Sequence, residues 1–348
     1  SNCYHTNWIT AVVLGHNAKA YDYDISGAYP FQTSKLLSCS LTDGVWKQSG
    51  LYQKDADYGF CYVQVSQHSY LSPLMFRASC IPGPYGSRVI KQNNSVGEWT
   101  GWLTKDEIDF VRSNLGHVEI LDGWWFFSRT ESHPFEIPMR SFYESRLRAI
   151  DMGDRFASTL CKLVAVAAQG KFISSFPVYG QLAASYMKNA VYAAIVTSST
   201  RLQVAEFCLQ HEGNVLNIAV DGVTLDKKVD VPGGWGNFRL ESSSEGEECI
   251  IAGDGEYWMP SRNSIFQRST LEEFAESKSY EDLSIQGRHT LLEVSADRIY
   301  FDEVGKFRDK RHRSILNNVV GAQRVFTISP SVCADLLTNQ YESLPRVI

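Results

Sequence analysis

Little in this chain points to a metal-binding or disulfide scaffold. Its eight cysteines are scattered without a C-x-x-C pair, and no H-x-x-x-H or H-E-x-x-H spacing accompanies them, which excludes the usual zinc patterns. Several lie in apolar runs, where a free thiol behaves as a small hydrophobe, so reduced cysteines and a cytoplasmic setting are expected. No apolar stretch reaches the roughly 18 residues of a membrane span, and no basic-then-apolar leader opens the chain. No membrane partner is expected. Positive charge is also scarce: 33 Lys plus Arg against 39 Asp plus Glu give −6. Any contact with nucleic acid must then come from local basic patches. Repeats and low-complexity tracts are missing. With 44% hydrophobic and 21% charged residues, 25 Gly and 11 Pro, disordered, collagenous and coiled-coil classes are excluded. The 348 residues suffice for one large domain or two to three subdomains.

What is present reads as a mixture of strands and helices. Residues 8–14 and 18–25 are predicted strands, the second ending in the turn-prone Ser26-Gly27-Ala28-Tyr29-Pro30. Residues 31–100 are rich in Ser, Gly, Pro and Tyr and read as an irregular insertion with short strand pieces such as Phe60 to Val65. Thr104 with Glu107 three residues on is a capping box that opens a helix to Asn114. His117 to Ser128 reads as two strand pieces around an Asp122-Gly123 turn. Helices are predicted over about 139–150, over 155–168 with Gly170 as C-cap, and over 183–211. Val215 to Leu225 reads as a buried hairpin with Asp221-Gly222 at its tip. An acidic helix near 271–282 and a basic stretch from Gly305 to Arg313 follow. The fold class expected is α+β.

Three segments carry chemistry. They are Asp24-Ile25-Ser26-Gly27-Ala28-Tyr29-Pro30, Lys162 to Phe172 (KLVAVAAQGKF), and Ala219-Val220-Asp221-Gly222. Each alone has an ordinary explanation: a capped turn, a snorkelling helix lysine, a hairpin turn. In this order and spacing they resemble family B DNA polymerases, most of all the protein-primed phage type. Asp24, Tyr29 and Pro30 match D-x-x-S-L-Y-P. Lys162 and Gly170 match K-x-x-x-N-S-x-Y-G, continued by the protein-primed G-K-F at Gly170-Lys171-Phe172, and Asp221 matches the second acid of D-T-D-S. The similarity runs from about residue 18 to 260.

The resemblance implies a palm with an antiparallel sheet, helical fingers, an inserted subdomain and a small thumb. The division is palm at 1–30, 101–138 and 183–258, an insertion at 31–100, fingers at 139–182, and thumb at 259–348. It implies template-directed DNA synthesis, in which Asp24, Asp221 and the Ile25 carbonyl hold two Mg²⁺ ions, with Mn²⁺ as a substitute. The backbone of Ser26, Gly27, Ala28 and Tyr29 would cradle the incoming deoxynucleoside triphosphate, and Arg146 and Lys162 would neutralise it. Val166 would lie against the nascent base pair. Gly170, Lys171, Tyr257, Lys306, Arg308, Lys310 and Arg311 would meet primer-template DNA. A priming terminal protein is the further partner of that family, and the setting would be host cytoplasm for a virus.

Departures from the pattern supply the rivals. Ala219 replaces the first acid of the third motif, Val166 and Gln169 replace Asn and Tyr, and Gly255 replaces the Lys of the primer-binding K-x-Y. The insertion that follows G-K-F in protein-primed relatives is absent or very short, implying distributive synthesis. No proofreading exonuclease signature precedes residue 18. The first rival is a polymerase-like binding module without turnover. The second is a transferase that attaches nucleotides to a protein hydroxyl without a template.

Overall fold

The computed structural model describes residues 3–5, 8–83, 86–92, 97–178, 181–262, 268–276 and 330–342. Strands β1 (Ile9–Ala11) and β2 (Val13–Ile25) lead through a turn into α1 (Ala28–Ser34). Next come β3 (Gly44–Gln48), β4 (Tyr58–Gln67), the hairpin β5 (Phe76–Gly83) and β6 (Gly86–Gln92), β7 (Gly97–Thr104), α2 (Lys105–Asn114) and β8 (Gly116–Ser128). A helical pair, α3 (Glu136–Asp151) and α4 (Arg155–Lys171), precedes the small hairpin β9 (Ser175–Val178) and β10 (Gln181–Ala184) and the long α5 (Ala190–Gln210). The remaining described elements are β11 (Val215–Ala219), β12 (Gly222–Leu225), β13 (Phe238–Leu240), β14 (Glu247–Gly253), β15 (Glu256–Trp258), α6 (Arg268–Glu276), α7 (Pro330–Thr338) and β16 (Gln340–Glu342). The class is α+β, as expected.

β2 is the spine of an antiparallel sheet ordered β1-β11-β12-β2-β14-β15, with β13 and β16 also pairing along it. Its side chains are buried on both faces, which is why VLGHNAKAYDYDI reads as a dense rather than a cleanly alternating strand. On one face α5 packs through Leu202, Ala205 and Phe207 against Tyr23, Ile25 and Val223. On the other, Leu271 of α6 and Cys333 and Leu336 of α7 cover Leu14, Ala20 and Ile250. α5 is apolar all round because it is enclosed. Its start is fixed at Asn189, whose side chain accepts from the Val191 and Tyr192 N–H groups at 3.1 and 3.2 Å, later than the residue 183 expected from composition.

The segment 31–100 is more regular than expected. β3, β4 and β7 join β8 in a four-stranded sheet ordered β3-β8-β4-β7. Cys61, Val63 and Val65 alternate onto one face, over Ile108 and Val111 of α2. Glycines within the strands themselves, as at Gly44, Gly59 and Gly97, mask this alternation. β8 is also one continuous strand, not a hairpin at Asp122-Gly123. The pairing with β4 shifts between Tyr62 and Val63, where β8 carries an extra residue, Leu121. Asp122 accepts from the Gly123 N–H (2.8 Å) and from Gln48 Nε2 (2.9 Å), and a Cβ on Gly123 would stand 2.8 Å from Cys61 Sγ. Gly123 answers a close approach, not a turn.

Other boundaries shift for local reasons. The Thr104–Glu107 capping box is present at the start of α2. α4 runs through Gly170 to Lys171, with Phe172 as its cap, so Gly170 is a helical residue and no left-handed stop. In the β11–β12 hairpin Ala219 pairs with Gly222, placing Val220-Asp221 in the turn. Val220 has φ 66°, a left-handed conformation that costs a β-branched residue steric strain. Cys3, Cys39, Cys61, Cys161, Cys208 and Cys249 are free thiols, and Cys3, Cys61, Cys208, Cys249 and Cys333 are buried. No described helix is long and apolar enough to cross a membrane.

Candidate active site

The site grows from the end of β2. Asp24 is opposite Gly222 of β12, and the Ile25 N–H donates to the Asp221 carbonyl at 3.1 Å. Sheet pairing thus brings together two acids almost two hundred positions apart. After Ile25 the chain must turn sharply, and Gly27 takes a left-handed φ of 68° that other residues rarely adopt. The turn is stitched to a distant loop: Ser26 N–H donates to the Asn237 carbonyl (3.0 Å), and Gly236 N–H donates to the Ser26 carbonyl (2.9 Å).

Asp24 and Asp221 open into a shared cleft. Ile25, Gly27, Ala28 and Tyr29 line its floor. Arg146, with Phe142 and Tyr143, enters from α3; Lys162 and Val166, with Cys161, enter from α4. The residues drawn from all three sequence motifs therefore meet in one cavity. The Ser26 N–H is the exception, because its bond to Asn237 removes it from the expected cradle. Arg146 has a buried Nε with no hydrogen-bond partner among the described residues, the mark of a donor awaiting an acceptor.

Sequence reasoning missed two contributors. Arg239 of β13, in register with Asp24, also lines the cleft. Trp235 stacks on Tyr143 (centroids 5.2 Å, 17°), meets Phe31 edge-on at 5.4 Å, and carries the Arg140 guanidinium 5.3 Å over its ring. It ties α3 to the turn. The signal was the run Gly233-Gly234-Trp235-Gly236. Gly236, at φ 77°, would drive a Cβ to 2.3 Å from the Phe31 ring, so only glycine lets the loop close there.

Charge is concentrated at this point. Burial first, then repulsion by Asp221, pushes the Asp24 carboxyl up from 3.8 to about 7. Burial also raises Asp221, against the pull of Lys162 and Arg262. Beneath them Asp22 is buried and accepts from Arg262 Nε at 2.6 Å and Thr224 Oγ1 at 3.1 Å. Arg262 reaches Glu241 at 3.9 Å, and Glu241 pairs with Arg239. An alternating ladder of acid and base thus runs from the core to the cleft.

Two close carboxylates plus a backbone carbonyl are hard oxygen donors suited to a divalent cation, and their mutual repulsion is what such an ion would relieve. Among the described residues no group of three or more His, Cys, Asp and Glu side chains is arranged for a metal, so the pair would share its ions with other oxygens. Linkage gives a test. A carboxyl raised from 3.8 to about 7 stabilises the fold when protonated, and that contribution disappears as pH rises through about 7. The melting temperature of the metal-free chain is expected to fall across that window. Mg²⁺ or Mn²⁺ is expected to raise it more at about pH 8 than at about pH 5, as read by thermal unfolding.

The remaining sequence candidates fall elsewhere. Gly170 and Lys171 sit at the far end of α4, outside the cleft lining. Tyr257 of β15 does not line the cleft either, although its phenol is raised by burial and by Asp22 and Asp24. Lys306, Arg308, Lys310 and Arg311 lie outside the described residues.

No protein-family model matches the chain, and no curated protein matches it. Solved structures do. Phi29 DNA polymerase in its ternary complex with primer-template DNA and incoming nucleotides aligns with a TM-score of 0.52 at 13% identity, over 74% of this chain and 49% of that one. Its post-translocation binary complex with primer-template DNA gives 0.53 at 14%, over 74% and 48%. The complex with single-stranded DNA gives 0.52 at 12% over the same shares. The chain spans about half the length of these polymerases. At such identity the likeness establishes architecture alone, and the architecture is the fold shared with phi29 DNA polymerase.

Proposed function

We propose that the chain is a template-directed DNA polymerase that adds deoxynucleotides to a primer 3′-hydroxyl. The observation that carries this reading is the meeting of Asp24 and Asp221 with Lys162 and Arg146 in one cleft. In this reading the β2-centred sheet with α5 is the palm, the α3–α4 pair the fingers, and the segment 31–100 an inserted subdomain whose strands pair with β8. The thumb is assigned to the segment after Trp258, of which the described α6, α7 and β16 lie against the palm sheet. Of the polymerase structures named above, one holds primer-template DNA with incoming nucleotides, one primer-template DNA and one single-stranded DNA; we assign primer-template DNA and a nucleotide to this cleft.

The chain's own residues divide the work. Asp24, Asp221 and the Ile25 carbonyl hold the metal ions, Mg²⁺ or Mn²⁺. When bound, these supply Lewis-acid stabilisation at the attacking and leaving oxygens. Lys162 and Arg146 bind the triphosphate from the helical side, with the Gly27 and Ala28 N–H groups beneath it. Tyr29, half-buried beside Asp221, packs against the sugar, and Val166 borders the base. Tyr257, Gly170, Lys171 and the Lys306–Arg311 stretch are assigned to the DNA. Arg239 is added to the substrate-binding set. Replacing it by Ala is expected to raise the nucleotide KM by about tenfold, with a smaller change in kcat, because it removes ground-state binding of an anion.

Primer extension on two templates of different sequence, with Mg²⁺ and with Mn²⁺, tests the function. Products that follow each template support it. Ala219, in place of a third acid, favours one rival: a polymerase-like module that binds without turnover. Primer-template binding with no product under either metal would establish that rival, and untemplated addition would indicate a terminal nucleotidyl transferase.

A further inference from the structure

The four-stranded sheet presents a second face that shares no residue with the cleft. One side of the sheet packs on α2. On the other, the Tyr58 end is closed by a cluster with Phe126, Phe172 and Tyr192, and beyond Phe60 the face is open. Strand register lays it out as a grid. Trp124 stands opposite Phe60; the next row is Trp102, Tyr62 and Asp122; then Thr100, Gln64 and Glu119; then Glu98, Ser66 and His117. Tyr62 is 36% and Trp124 46% exposed, and with Trp102 they stand on neighbouring rows of one face, an apolar patch rather than scattered rings. Tyr62 and Trp102 lie 5.7 Å apart, and the Tyr62 hydroxyl donates to Thr100 Oγ1 at 3.2 Å, which holds the rings in place.

Charge on these rows has one sign. Glu98 and Glu119 are exposed and make no side-chain ion pair or hydrogen bond among the described residues, and Asp122 adds a third carboxylate. No Lys or Arg occupies any of the rows. Rings edged by unpaired carboxylates attract cations and repel phosphates. We propose that this face docks a basic polypeptide segment, with Arg and Lys side chains over Tyr62, Trp102 and Trp124 and their charges directed to Glu98 and Glu119. Rows about 7 Å apart match the i, i+2 repeat of an extended chain. Docking here is independent of what the cleft does.

The test is fluorescence anisotropy of a labelled eight-residue Arg-Gly repeat peptide titrated with the full chain. Saturable binding is expected, weakened about tenfold or more by Trp102→Ser with Trp124→Ser. Glu98→Gln with Glu119→Gln is expected to weaken it and flatten its salt dependence. Gln64→Lys, a solvated position in the middle of the grid, should block binding without disturbing packing, and it decides the matter if the tryptophan variants fold poorly. Glu212→Gln, an exposed acid elsewhere, should change nothing. Equal affinity for all variants would mean unspecific attraction to an acidic protein and would overturn the proposal. So would a single-stranded oligonucleotide that displaces the peptide and loses its own binding with the two tryptophans.

Discussion

If the proposed activity holds, Asp221→Asn is expected to lower templated synthesis by about a thousandfold or more and to raise the melting temperature of the metal-free chain, and Asp24→Asn to do both as well. The two effects have one cause. Each carboxylate is largely withdrawn from water, and the pair repels, so Asp24 holds its proton up to about 7. Removing one charge relieves the fold. In the proposed mechanism it would also remove a ligand from the metal ions, a loss of several kcal/mol at about 1.4 kcal/mol per factor of ten. Primer extension measures the first effect and thermal unfolding without and with Mg²⁺ the second. Full activity in either variant would refute the site. A melting temperature lowered by both substitutions would show that the carboxylates hold the hairpin together instead of straining it.

Arg201→Ala destabilises the fold by about 3–5 kcal/mol, the expected result of leaving a buried charge unpaired. Arg201 on α5 and Glu107 on α2 are 2% and 1% exposed and lie 2.6 Å apart; Arg201 Nη1 also donates to the His5 carbonyl at 2.7 Å. Glu107 meanwhile accepts from the Thr104 N–H at 2.9 Å, so a single carboxylate caps one helix and anchors another. The double change Arg201→Met with Glu107→Gln keeps a capping residue and removes both charges. It is expected to restore most of the loss, because replacing a buried pair by residues of similar volume is close to neutral. Urea unfolding of the three proteins decides this. A cost below about 1 kcal/mol for Arg201→Ala would mean that water reaches Glu107.

How far the sequence could be read follows from the range of each interaction. The α2 capping box was legible because Thr104 and Glu107 satisfy the helix end within one turn. The α3–α4 pair was legible from the Pro-rich break at Pro134 and Pro138, although α3 begins ahead of Pro138, at Glu136. The strand at Asp122-Gly123 was misread because a close approach to Cys61, across the sheet, imitates a turn signal. Gly170 was misread as a stop because the helix continues one residue further, to Lys171, and is capped at Phe172, which packs with Tyr192. The four-stranded sheet was hidden because its members come from both sides of a loop-rich stretch.

By itself the sequence determined the α+β class, the α2 capping box, and which acids and bases were candidates, since those depend on neighbours a few positions away. Only the tertiary structure decided that Asp24 and Asp221 share a cleft with Arg146 and Lys162, and that Ser26 N–H is committed to Asn237. It alone placed Arg239 beside Asp24 and Trp235 against Tyr143. The physical reason is that sheet register and ring packing are set by burial and pairing between distant segments, and a charge or a glycine has no role until its neighbours in space are fixed.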